Sequence, residues 1–191
     1  RTEKSMNIRK DDTVVVITSD HGESLGEHGE ASHGVFAYES VLRVPLVIYA
    51  PRIFSPRVVD APARHVDLLP TLLGALALEI PAGVAGRNLM PVISGSDQSA
   101  HDGVYFEALS ATLNRGWAPL LGIIQDRFKY IDLPVPELYD LTHDPREERN
   151  LAGAEPGRMA ALRAQLERFR SADPRRAERG ALRPRTNEPR G

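Results

Sequence analysis

Ser19-Asp20-His21-Gly22-Glu23 opens the densest run of ligand and acid–base side chains in the chain. A carboxylate followed by an imidazole offers two good donors to a divalent cation. Neighbouring side chains on a strand point to opposite faces, so both reach one ion only where the backbone turns, and Gly22 permits the turn. Taken alone, the dipeptide reads more simply as Asp20 capping a helix and His21 lying in a loop. Its surroundings change that balance. Glu23, Glu27, His28, Glu30 and His33 follow closely, interleaved with Gly22, Gly26, Gly29 and Gly34. A loop so rich in titratable groups is costly to hold without a cation or an anionic substrate to organise it. Glu27, His28 and Glu30 fit the role of solvated bystanders.

The element that delivers this turn is Thr13-Val14-Val15-Val16-Ile17-Thr18, a β-branched run with the pattern of a strand covered on both faces. Functional groups of α/β sheets gather at such carboxyl ends. Val44 to Tyr49 reads as a second buried strand, with Pro45 early in it and Ala50-Pro51 closing it. Asp67 is the expected N-cap of a helix whose Pro70 falls in the first turn and whose Leu69, Leu72, Leu73 and Leu76 form the buried stripe. From Val104 the pattern shortens. Val104–Glu107, Gly122–Gln125, Phe128–Ile131 and Glu137–Asp140 read as strands, the middle two joined by a tight turn at Asp126-Arg127. Met159, Leu162, Leu166 and Phe169 lie on one face of a helix over Arg158–Arg170, expected to pack on that sheet. The expected organisation is an α/β part over 1–100, a small antiparallel subdomain over 101–170, and a basic tail without fixed structure over 171–191.

Composition sets limits. The 191 residues, 41% hydrophobic and 26% charged, suffice for one core or a core with a small subdomain. A formal net charge of −2 gives no reason to expect nucleic acid as a partner. Seven arginines against three acids from Arg170 onward make the tail basic, a pattern commoner in solvated coil than in binding devices. Without cysteine there are no disulfides, thiolate metal sites or cysteine nucleophiles in these residues. No run approaches the length of a membrane span. The opening Arg1-Thr2-Glu3-Lys4 has neither a starting Met nor an apolar leader, and residues are expected upstream.

The run from Asp12 to Gly29, with Asp20-His21-Gly22-Glu23 and Leu25-Gly26-Glu27-His28-Gly29 inside it, resembles the C-terminal metal segment of sulfatases, in the alkaline phosphatase superfamily. The order of later segments agrees: His33-Gly34, Tyr38-Glu39, Leu42-Arg43-Val44-Pro45, His65-Val66-Asp67-Leu68-Leu69-Pro70, and Gly86-Arg87-Asn88-Leu89. Arg127-Phe128-Lys129-Tyr130-Ile131, Glu137-Leu138-Tyr139-Asp140-Leu141, Asp144-Pro145 and Asn150-Leu151 complete the set, which covers about residues 10–170. Tyr105 to Trp117 is similar to a bacterial branch of the family. The resemblance implies the C-terminal part of an alkaline-phosphatase-like sandwich, with buried strands and flanking helices, plus a small antiparallel sheet packed by a C-terminal helix.

It also implies a chemistry: a sulfuric ester hydrolase holding one divalent cation between two segments. Asp20 and His21 match the ligand pair of the second segment. The metal is calcium by family habit, with manganese or zinc opened by the imidazole. His33 sits where many sulfatases place a lysine. By that match it contacts the ester's anionic oxygens or protonates the leaving oxygen. An imidazole there loses its charge as pH rises, so activity falls with it if the cation is required. The substrate implied is a small-molecule or glycan sulfate ester, or a phosphate ester, and oligomeric state is not legible. The family's acidic pair and its Cys/Ser-x-Pro-x-Arg segment, source of a formylglycine nucleophile, are not among these residues. Asp11-Asp12 precedes the metal strand directly and is not that pair.

Other residues stay open between two readings. Arg43 is a substrate ligand or, more simply, pairs with a carboxylate to fix its loop. His65 with Asp67 resembles a dyad on paper, but capping is the simpler account. Trp117, the only tryptophan, lines a cleft or fills a core. Tyr139-Asp140 and Asp144-Pro145 read as turn chemistry. Two rival functions stand beside the sulfatase: a phosphonate monoester or phosphodiester hydrolase or phosphoglycerol-type transferase, with which His21 is shared, and a non-catalytic binding module that kept the fold.

Overall fold

A computed structural model describes residues 12–97 and 103–172. In chain order the elements are β1 (Val15–Thr18), a 3-10 turn (Glu27–Gly29), α1 (Glu39–Leu42), β2 (Leu46–Tyr49), α2 (His65–Ala75), α3 (Met90–Ser94), β3 (Val104–Ala108), α4 (Ser110–Arg115), β4 (Leu120–Gln125), β5 (Phe128–Asp132), β6 (Glu137–Asp140) and α5 (Pro156–Ala172). They form two units, and the chain passes between them at Asp20–His21 and again at Arg43–Val44. The expected tail after Asp173 lies outside the described residues.

The first unit holds β1, β2, α2 and α3. β1 and β2 pair antiparallel with Val15 opposite Tyr49 and Ile17 opposite Val47. These four side chains share one face of the ribbon and are exposed, so the described residues do not cover either strand on both faces. Pro45 stands just before β2, where its missing N–H costs the ladder nothing.

α2 departs from expectation in three ways, for one reason. The helix starts at His65, so Asp67 is its third residue and not its cap; its Oδ2 accepts the Arg64 amide at 2.9 Å, closing a capping box. Pro70 therefore falls beyond the first turn. The buried residues are Asp67, Pro70 and Thr71, while Leu69 and Leu76 are exposed. The reason is the segment 86–89, which docks on the polar side of the helix. Arg87 N donates to Asp67 Oδ1 at 2.9 Å and Leu89 N donates to Thr71 Oγ1 at 2.9 Å. At Gly86, with φ of +86°, an added Cβ would lie 2.1 Å from the Val66 carbonyl oxygen. That carbonyl is the one Pro70 cannot serve, and only glycine lets the chain pass so near it. Arg57 to Val59 forms no strand.

The second unit is built on the antiparallel meander β3-β4-β5-β6. Alternation along its strands makes two apolar faces. One carries Leu121, Ile123, Tyr130 and Leu138 and is covered by α5 through Leu162 and Leu166, with Met159 and Phe169 at the margin. This is the expected helix stripe. The other face carries Phe106, Leu120, Ile131 and Tyr139 and is covered by Ala37 and Tyr38. The segment 21–43 is thus a layer of this unit. Gln125 pairs with Phe128 across the two-residue turn Asp126-Arg127, both at positive φ, the geometry that matches strand twist. Trp117 is exposed, with Arg115 over its ring at 5.6 Å, and fills no core.

Candidate active-site segment

The 21–43 segment has little regular structure, and specific backbone bonds shape it instead. Gly22 N donates to Val41 O at 2.8 Å, and a Cβ at Gly22 would lie 2.1 Å from the Ser40 carbonyl oxygen. The turn after Asp20 therefore needs glycine for close approach. Ser24, buried, donates its amide to Ser32 O at 2.9 Å and its hydroxyl to Glu27 O at 3.1 Å. Glu30 is also buried and accepts the amides of Val35 at 2.8 Å and Phe36 at 3.2 Å. His28 stacks on Tyr38 with centroids 3.6 Å apart, and its Nε2 donates to Arg146 O at 3.0 Å. Glu30 is therefore a structural part and not a solvated bystander, while His28 is solvent-exposed but held by its stack and its bond. Glu27 faces its own loop, and the backbone amide of Leu25 holds its carboxyl below the ordinary range.

His21, Glu23 and His33 come together on the exposed side of this segment. The His21 and His33 rings lie 3.9 Å apart at centroid. His33 Nδ1 lies 3.1 and 3.2 Å from the two oxygens of Glu23 and therefore donates to them. Bonds from Ser32 first and His33 second hold the Glu23 carboxyl below its usual value. His21 Nδ1 is 2.7 Å from the Gly22 carbonyl, which can only accept. That contact places a proton on Nδ1 and fixes the orientation of the ring. Sequence reasoning placed Glu23 in the loop without a role; its partner was ten residues on, beyond any local pattern.

Asp20 ends the first unit, exposed, with Ser19 Oγ 3.4 Å from its Oδ1. Among the described residues no group of three or more carboxylate or imidazole side chains gathers as a metal centre. By residue type, a carboxylate and an imidazole adjacent in sequence are both donors that a divalent cation accepts. Arg43 is exposed; its amide caps α1 at Glu39 O (2.9 Å), and its guanidinium makes no ion pair among the described residues. The expected carboxylate partner is not found among the described residues. His65 Nε2 donates to Ser19 O at 2.8 Å, while Asp67 is engaged by Arg64 at 2.8 Å, so the two form no dyad. Asp140 accepts the Thr142 amide at 2.9 Å and pairs with His143 Nδ1 at 2.8 Å, turn chemistry as expected.

Sequence reasoning missed Lys129. It is fully buried in β5, its Nζ 2.7 Å from Glu147 Oε1 and 3.5 Å from Glu39 Oε1. A lysine in the same alternation as Ile131, inside an apolar strand, was the available signal.

The family model for sulfatases matches residues 6–78. An uncharacterized sulfatase of Escherichia coli (strain K12), YidJ, is 34% identical over 149 residues, covering 75% of this chain and 29% of its own length. The structure of BT4656 in complex with its substrate D-glucosamine-2-N,6-O-disulfate aligns with a TM-score of 0.73 at 30% identity, over 84% of this chain and 34% of that one. The phosphonate monoester hydrolase SpPMH from Silicibacter pomeroyi aligns with a TM-score of 0.68 at 30% identity, over 84% and 35%. The chain spans about a third of the length of the proteins it matches.

Proposed function

We propose that this chain, which is a partial sulfatase region with the alkaline-phosphatase-like fold, contributes to the hydrolysis of a sulfate ester. The observation that carries this reading is the pairing of His33 with Glu23 beside His21, in a segment that follows Asp20 directly. Sulfatases generally use a metal ion and a formylglycine nucleophile. In this reading Asp20 and His21 are ligands of the metal, and the formylglycine comes from residues outside these 191. Calcium fits the carboxylate, and manganese or zinc fits the imidazole of His21. A bound divalent cation would neutralise ester oxygens that otherwise repel a nucleophile.

The side chains of this chain have their own tasks. Glu23 holds the Nδ1 proton of His33, which orients the ring and presents Nε2. From there His33 binds an ester oxygen as a cation, or gives its proton to the departing alcohol. Arg43, with no ion-pair partner among the described residues, is available to an anionic substrate. A glycan sulfate ester is a substrate of this class, as in the complex of BT4656 with D-glucosamine-2-N,6-O-disulfate. A phosphonate or phosphodiester substrate is the second reading, favoured by the likeness to SpPMH and by a histidine at position 21.

The test is Asp20→Ala and His21→Ala in the complete protein, assayed on matched aryl sulfate and aryl phosphonate esters with metal content measured beside turnover. We expect both variants to lose bound metal and at least about 100-fold in kcat/KM, the order of removing a principal electrostatic stabiliser. Unchanged activity and metal content would refute the assignment. Faster turnover of the phosphonate than of the sulfate by the unmodified protein would select the second reading.

A further inference from the structure

Lys129 has no evident reason to be a lysine if the sheet needs only packing. An aliphatic residue in its place would continue the run that Ile131 begins. Instead an ammonium group is buried between the rings of Phe106 and Tyr38, 5.3 and 5.8 Å from their centroids. Burying that charge is tolerable only because Glu147 Oε1 lies at 2.7 Å and Glu39 Oε1 at 3.5 Å. Glu147 is itself buried, with a left-handed φ of 59°, a conformation that favours glycine. Burial raises its carboxyl above the usual value even against the nearby ammonium.

The second oxygen of Glu147 leads toward the candidate site. Its Oε2 accepts the Glu39 amide at 2.6 Å, at the first residue of α1. Within α1, Val41 O accepts the Gly22 amide at 2.8 Å. Gly22 lies between His21 and Glu23, and Glu23 holds His33 at 3.1 Å. A second tie lies alongside: Tyr38 and Tyr139 hydroxyls both donate to Glu137 Oε2 at 3.0 Å. The sheet thus reaches the His21–Glu23–His33 group through the Lys129–Glu147 ion pair, then hydrogen bonds joined by short stretches of chain, all inside the second unit.

We propose that Lys129, Glu147 and Glu39 form a positioning cluster that sets the 21–43 segment on the sheet and fixes the placement of His21 and His33. The claim rests on the sulfatase reading for its activity readout and not for its structural one. None of the three touches the reacting groups. Their effect is on geometry, where small displacements at a reacting centre are expensive.

The experiment is made in the complete protein with Lys129→Met/Glu147→Gln, which removes both charges together and keeps a carbonyl to accept the Glu39 amide. Lys129→Arg serves as the conservative variant. Measured are kcat and KM on an aryl sulfate, thermal unfolding, and amide hydrogen exchange across 21–43 and across β4 and β5. We expect the double variant to stay folded, with kcat down about 10- to 100-fold and KM changed much less. Exchange at Gly22 and through α1 should rise about 10-fold or more while β4 and β5 stay protected. Lys129→Arg should recover part of both effects. Uniformly faster exchange with unchanged kcat per folded molecule means the cluster only stabilises, and the proposal fails. If the parent protein shows no sulfate ester hydrolysis, the functional reading fails, yet exchange in 21–43 still decides whether the cluster positions that segment.

Discussion

Burial alone pushes the Asp67 carboxyl up, but hydrogen bonds from the Arg64 side chain, the Arg87 amide and the Arg64 amide outweigh it and hold the group below the ordinary carboxylate range. A folded value lowered beneath the unfolded one gives stability that is present above the unfolded pKa and lost as pH falls through the folded pKa. The first unit should therefore loosen in acid below the usual carboxylate range, because protonated Asp67 no longer gathers both ends of its loop. Asp67→Asn keeps the shape and one acceptor but drops the charge. We expect it to cost about 1.5–3 kcal/mol at neutral pH, the range for hydrogen bonds to a charged group. Urea unfolding followed by circular dichroism from pH 7 to pH 3 checks this: the variant should show a flatter acid limb. Parallel acid limbs in parent and variant would mean other carboxylates govern the slope. Sequence reading found the helix here and misjudged its face, since leucine spacing shows where a stripe could lie but not that Arg87 and Leu89 would claim the polar side.

The hairpin of β4 and β5 was legible because its signals are local: alternation on both sides and a two-residue gap. Asp126 tolerates that geometry, but Arg127 suits it poorly. Asp126 and Arg127 stand at φ of 50° and 66°, where an asparagine followed by a glycine is the favoured pair. The double substitution Asp126→Asn/Arg127→Gly should raise stability by about 1 kcal/mol, since a left-handed residue with a Cβ costs about that much. The gain should appear as a higher denaturation midpoint with an unchanged m-value. A lower midpoint would show that the Arg127 side chain supports the turn in a way its backbone does not reveal. The helix α5 was equally legible from its own period. The 21–43 layer was not. His28 finds Arg146, Tyr38 finds Glu137 and Glu39 finds Glu147, partners about a hundred residues away that no local pattern announces.

At the scale of the chain, chemistry and packing are unevenly shared. Most buried apolar residues belong to the second unit, around β3 to β6 and α5, and so do His21, Glu23 and His33. The resemblance to sulfatases pointed to Asp20 and His21 through order and spacing, without any view of how the segment is held. What these residues offer a cation is small: one carboxylate and one oriented imidazole. Calcium takes six to eight oxygen ligands, and catalytic zinc about three protein ligands, so two donors fall short of either. No cysteine and no Ser-x-Pro-x-Arg segment is present to become a formylglycine nucleophile. A polypeptide of these 191 residues should therefore fold its four-stranded unit, bind calcium or manganese more weakly than about 0.1 mM, the weak end of built calcium sites, and hydrolyse no aryl sulfate above the buffer rate. Calorimetric titration with each metal, together with a long-incubation aryl sulfate assay, measures both expectations on one sample. Micromolar binding or enzyme-like turnover would mean that the chain holds a complete centre, and that the ligand set named here is too small.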